Sequence, residues 1–186
     1  MNAMRLAALL GCAALAALLL SLFTGVDGFT VAGSAEARRM ILLEVRLPRA
    51  LLGFIVSGTL GLAGAVLQGY LRNPLAEPGI LGISGGAALG AVIAIHSGIA
   101  QVVALALPLA GLTGAALATL ALTVLAGRGT GSVTLILAGV AVSSLAAALT
   151  SLALNLAPNP FAASEMLYWL MGSLTDRSLT HVWLAA

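Results

Sequence analysis

The residues able to do chemistry in this chain are few, and what is missing narrows the choice. All eight basic residues are arginine: Arg5, Arg38, Arg39, Arg46, Arg49, Arg72, Arg128 and Arg177. With no lysine there can be no phosphate-binding loop of the Walker type and no Schiff-base chemistry. Any ATP-driven step must therefore be carried by a partner. The single Cys12 lies in the first apolar run, so no internal disulfide can form. His96 and His181 are far apart and make no metal pattern. No Ser, His and Asp group stands out, and no two carboxylates share one apolar segment. Neither a catalytic residue, a metal site nor a cofactor is expected, and an enzyme is disfavoured.

Three polar constellations remain. Arg46-Leu-Pro-Arg49 carries two planar forks able to pair bidentately with carboxylates. The competing reading is anchoring at a membrane interface by snorkelling. The stretch Asn73, Pro74, Leu75, Ala76, Glu77, Pro78, Gly79 combines a capping residue, two prolines and a glycine. It reads as a helix end, a tight re-entry and a new helix start, with Asn73 capping and Pro74 in the first helical position. Pro78 and Gly79 force a second turn. Ser143, Ser151 and Asn155 put hydroxyls and an amide on one apolar segment. They could line a pathway or bond to neighbouring helices.

The elements that must position these groups are membrane helices. Of 186 residues, 61% are hydrophobic and 8% charged, against about a quarter charged in soluble domains. A helix crossing hydrocarbon needs about 20 mostly apolar residues. Segments at roughly 6–25, 50–70, 80–96, 102–126 and 134–156 qualify, and a sixth apolar run begins at His181. The first segment has an alternative as a signal peptide, with Ala32-Gly-Ser-Ala-Glu-Ala37 as the cleavage region. Its apolar run is longer than the usual signal core of about 7–15 residues. Between the first two segments lies a polar stretch containing Asp27 and Gly28. The charged residues at 36–49 interleave with apolar ones and read as a short helix on the membrane surface. Pro48 then falls in the first turn of the second segment.

Small residues recur every four positions at Ser57, Gly61, Ala65 and Gly69, at Gly82, Gly86 and Gly90, and at Gly139, Ser143, Ala147 and Ser151. Such ribbons let helix backbones approach closely. Tyr168 and Trp169 suit an aromatic belt. The net charge of +2 gives no reason to expect nucleic acid.

The stretch from Gly64 to Ala88, Gly-Ala-Val-Leu-Gln-Gly-Tyr-Leu-Arg-Asn-Pro-Leu-Ala-Glu-Pro-Gly-Ile-Leu-Gly-Ile-Ser-Gly-Gly-Ala-Ala, resembles the signature of the FecCD/BtuC-like permeases. These serve ABC importers of iron-siderophores, haem and cobalamin. Arg46-Leu-Pro-Arg49, Leu135-Ile-Leu-Ala-Gly-Val-Ala-Val142 and Met166-Leu-Tyr-Trp-Leu-Met-Gly-Ser-Leu174 resemble three further family segments, in the same order and spacing. The resemblance implies an all-α polytopic membrane protein. About five complete transmembrane helices and the start of a sixth would form the N-terminal portion, residues 1–186, of one type II permease domain of about ten helices. It implies multi-pass residence in the inner membrane. It also implies a second permease subunit, a pair of separate ABC ATPase subunits and a periplasmic or surface-tethered substrate-binding protein. Arg46 and Arg49 match the outward-facing positions that meet carboxylates on the binding protein. The ATPase-coupling helix of the family lies beyond residue 186, so the chain reads as truncated.

With the N-terminus inside, three arginines fall on inner segments and five on outer ones. Counted alone, this mildly favours the opposite orientation; leaving out Arg46 and Arg49 balances it. Two other classes stay open. A secondary transporter normally needs an intramembrane acid or histidine to couple an ion, and segments two to five hold no Asp or Glu in their interiors. A non-transporting membrane fragment is the other.

Overall fold

The computed structural model describes residues 2–24, 34–128 and 131–186. Asp27, Gly28 and the start of the possible cleavage region lie outside the described residues. The chain is all-helical, with no strand among those residues. Its helices are α1 (Ala3–Phe23), α2 (Ala35–Met40), α3 (Leu47–Leu71), α4 (Ile83–His96), α5 (Ile99–Val102), α6 (Ala106–Ala126), α7 (Ser132–Asn155), α8 (Pro160–Met171) and α9 (Leu179–Ala185). Two compact units emerge, Met1–Gly61 with Ser173–Ala186, and Leu62–Gly172.

In the first unit, α1 is apolar all round, and none of its most hydrophobic window is buried. A helix of that kind suits lipid contact. The stretch 36–49 is not a separate surface helix. α2 passes through a π-helical segment, Ile41–Arg46, directly into α3, giving one apolar helix of 37 residues, Ala35–Leu71. The physical reason sits at Pro48. A proline inside a helix has no N–H to give and crowds the preceding turn. Here the wider π turn immediately precedes it, with the Leu47 amide donating to the Leu42 carbonyl. Pro48 is fully buried and lies inside the continuous helix Ala35–Leu71 rather than at its first turn.

The second unit is built around α4. Among the described residues, four helices are long and apolar enough to cross a membrane: Met4–Phe23, Ala35–Leu71, Ala106–Ala126 and Ser132–Asn155. The expected third span, 80–96, is instead a short 3-10 turn, Pro78–Leu81, followed by the 14-residue α4. Gly82 separates them in the left-handed region, at φ 77°. That conformation is open to glycine and costly for other residues, so the helix restarts there. α4 alone rises only about 21 Å, yet Ala91, Val92, Ala94 and Ile95 are among the most buried residues of the chain.

Backbone proximity explains that burial. A Cβ on Gly86 would collide with Ala118 and the Gly114 carbonyl. One on Gly90 would strike the Ala110 carbonyl, and one on Gly114 the Gly86 carbonyl. The ribbon on α4 thus meets a second ribbon, Ala110, Gly114 and Ala118, on α6. This is small-residue packing, which in lipid replaces the hydrophobic effect as the source of helix association. On α6 and α7, Ala118, Leu122, Ala126, Ala138 and Val142 form one cluster. Val92 and Ile95 of α4 pack with Ala162 and Met166 of α8 in another.

Gly86, Gly90 and Gly114 therefore tolerate nothing larger. Gly114→Val in the full-length parent is expected to cost about 1–3 kcal/mol by overpacking, read as a lowered thermal midpoint in detergent. Gly11→Ala on α1, whose Cβ would meet nothing within 4 Å, is expected to change stability by less than about 0.5 kcal/mol.

Candidate functional site

The loop after α3 is held by its own backbone and by two side chains. Arg72 takes the left-handed conformation, φ 49°, and the Asn73 amide reaches back to the Gln68 carbonyl at 3.2 Å. That pairing closes a Schellman-type helix end, with arginine where glycine is usual. The Asn73 side chain then accepts from the Leu75 amide at 3.0 Å, an Asx turn. The Ala76 amide donates to the Asn73 carbonyl at 3.1 Å. Asn73 is thus a turn former rather than a helix cap. Pro78, not Pro74, occupies a first helical position, that of the 3-10 turn.

The Gln68 amide straps the far side of the loop, donating to the Ala76 carbonyl at 3.3 Å. Ala76 is buried with Leu67 and Leu71, and Ile80, Leu81, Leu135 and Ile136 pack around them. Leu75, next to it, projects outward and is 86% exposed. Glu77 and Arg72 are exposed as well. The result is a hydrogen-bonded loop with a buried plug and an apolar tip.

The wall behind this break is α7. Gly139 lets the Ile80 carbonyl and the Leu81 Cα come against the helix, and a Cβ on Gly82 would lie 2.8 Å from the Ser143 nitrogen and 2.9 Å from its Oγ. Of the three polar residues predicted on this helix, Ser143 is half-buried beside the break, while Ser151 and Asn155 are exposed. The Asn155 amide donates to the Ser151 carbonyl at 2.8 Å, closing on its own helix. A different face of α7, with α4 and α6, borders a groove of about 760 Å³ lined by residues such as Leu89, Ile93, Leu117 and Leu145. None of the three polar residues lines it, and its chemistry is almost wholly apolar. His96 ends α4 half-buried, and its Nδ1 has no hydrogen-bond partner among the described residues.

The two arginines predicted for docking have different surroundings. Arg46 ends the π segment and is only 7% exposed. Its Nη1 donates to the Leu22 carbonyl at 3.2 Å. Arg49 is half-exposed. Sequence reasoning paired them through the resemblance of Arg46-Leu-Pro-Arg49 to a family segment. It also missed Gln68, the left-handed Arg72 and the α6 ribbon. Only the last had a readable signal, its four-residue period. No cluster able to hold a metal ion occurs among the described residues.

The model of the FecCD transport family matches residues 7–186, almost the whole chain. The chain belongs to the FecCD transport family. It is similar to the vitamin B12 import system permease protein BtuC of Salmonella paratyphi A, 37% identical over 171 residues, covering 91% of this chain and 52% of the relative. The BtuC of Salmonella newport matches to the same extent, 37% over 171 residues. A solved structure described as an inward-facing conformation of a metal-chelate type ABC transporter superimposes with a TM-score of 0.80. It is 28% identical and covers 91% of this chain and 54% of that one. The chain thus spans about half the length of the curated relatives it matches. Membership, with four membrane-length apolar helices among the described residues, makes it part of a multi-pass membrane protein of that family.

The strapped loop gives a local expectation. Asn73→Ala removes the acceptor for the Leu75 amide and should cost about 0.5–2 kcal/mol of loop stability, as loss of a comparable cap does. Asn73→Asp keeps the acceptor. Hydrogen exchange of the peptide covering 72–79 should rise in the first variant and stay near the parent in the second.

Proposed function

We propose that residues 1–186 are the N-terminal portion of one permease domain of an ABC importer in the inner membrane. The ligand class is an iron-siderophore, haem or cobalamin-type compound. The observation that supports this best is the strapped loop 72–79 and the break at Gly82 against α7, within a chain of the FecCD family. Irregular backbone at membrane depth is tolerated only where protein buries it or a water-filled cavity borders it. A permease needs such breaks beside its route.

In this reading the chain does no ATP chemistry, consistent with its lack of lysine. Two ATPase subunits drive it, and a second permease subunit completes the path. A periplasmic or surface-tethered binding protein delivers the ligand to the segment carrying Arg46 and Arg49, where positive charge steers an acidic face into register. Ser143, Ser151 and Asn155 lie on the α7 face that borders the ligand's route. The loop 72–79, with exposed Leu75 at its tip, makes contacts beyond this chain.

Co-purification from detergent tests the assignment. The full-length parent should retain its ATPase and capture its binding protein, and Arg49→Glu should lose the binding protein while keeping the ATPase. Retention of neither partner by the intact protein would remove the importer reading.

A further inference from the structure

We infer that His181 makes the start of α9 sensitive to pH: its neutral imidazole caps the helix, and protonation releases the cap. The inference stands apart from the importer reading and rests on the turn that leads into α9.

That turn, residues 173–178, is stitched by side chains. The Thr175 amide donates to the Ser173 hydroxyl at 3.0 Å. Asp176 then takes the left-handed conformation, φ 57°, which aspartate tolerates better than most residues. Ser178 is the N-cap of α9 and His181 its third residue. In the ordinary capping box that third residue is Glu or Gln, reaching back to the N-cap amide. Here the Ser178 amide donates to His181 Nδ1 at 3.3 Å, and the Ser178 hydroxyl lies 3.0 Å from the same nitrogen.

These contacts decide the tautomer. A backbone amide can only donate, so Nδ1 is the acceptor and the ring proton sits on Nε2. The hydroxyl is then a second donor to Nδ1. An imidazole can play this part only while neutral. Imidazolium has two N–H donors and no acceptor, so both Ser178 contacts are lost together. The same proton places positive charge in the first turn of a helix, at the unfavourable end of its dipole. Both effects have one sign: the cap is present when the ring is neutral and is lost as the pH falls and the ring gains its proton.

Charged groups around the cap come from the turn itself, Asp176 and Arg177, and from α3, against which the turn packs. A Cβ on Gly53 of α3 would lie 3.8 Å from Leu174 Cδ1, and Arg49 stands four residues before Gly53, on the same helix face. The two guanidiniums oppose a charged ring. The Asp176 carboxylate would draw such a ring away from the Ser178 donors. It is therefore the group to separate from the cap in an experiment.

The test is hydrogen exchange of the peptide covering 176–184 in the full-length parent in detergent, at about pH 8 and about pH 5, the limits between which imidazole ordinarily changes charge. His181→Gln restores the ordinary capping-box acceptor, which holds at both, and it serves as the reference at each pH. The intrinsic pH dependence of exchange then cancels. The parent should match this reference within about twofold at the higher pH. At the lower pH it should exchange about threefold or more faster, the size of a lost cap. His181→Leu should exchange fast at both. Asp176→Asn, which also tolerates the left-handed turn, should retain the pH step. A parent that tracks His181→Gln at both pH values would overturn the inference, and that comparison needs no weakened variant. So would His181→Leu exchanging no faster than the parent at the higher pH. Loss of the step in Asp176→Asn would place the switch in a carboxylate–imidazolium pair and overturn the cap as its cause.

Discussion

In hydrocarbon, a backbone amide or carbonyl without a partner costs several kcal/mol, and every helix end exposes such groups. This chain ends and restarts its helices often, at Arg72, Gly82, Gly98, Leu105 and Gly127, so most of its specific structure goes into meeting that demand. After α3 the Asn73 amide turns back to Gln68, and the side chains of Asn73 and Gln68 take up the next groups. At α1 the remedy comes from Arg46, far along the chain. At α8 the Asn159 side chain accepts from the Ala162 amide at 2.8 Å, with Pro160 in the first turn, where no N–H is needed.

Glycine makes these breaks compatible with dense packing. Gly82 bends the chain and at the same position lets it lie against Val142 and Ser143. Gly86, Gly90 and Gly114 bring α4 and α6 so close that a methyl group would overlap backbone. The result is a short helix too brief to span a bilayer alone and yet among the best-buried elements of its unit. Breaks of this sort place irregular backbone where a transporter can use it.

Much of this was legible from residue types and spacing. The absence of lysine removes a Walker-type phosphate-binding loop, and the apolar segments give the helical membrane class. The ribbon of Gly82, Gly86 and Gly90 announces close approach by its period. The same period at Ser57, Gly61, Ala65 and Gly69 belongs to exposed residues, because spacing says that a backbone can be approached and not what approaches it. Pro74 and Pro78 are equivalent by rule. Only the Asx turn at Asn73 decides that the second starts the 3-10 turn. Pro48 read as a helix start because α-helical rules have no place for it inside. The π turn supplies one. Side-chain direction after a π segment cannot be counted from an α-helical period.

The central claim, that this chain is part of a permease driven by a separate ATPase, is tested most directly by uptake in proteoliposomes. The full-length parent would be reconstituted with its ATPase and binding protein, and labelled cobalamin, haem or ferric siderophore offered in turn. The account predicts that one of these ligands accumulates only when ATP and the binding protein are both present, whatever the ion gradient. Accumulation driven by a proton or sodium gradient without ATP would contradict it.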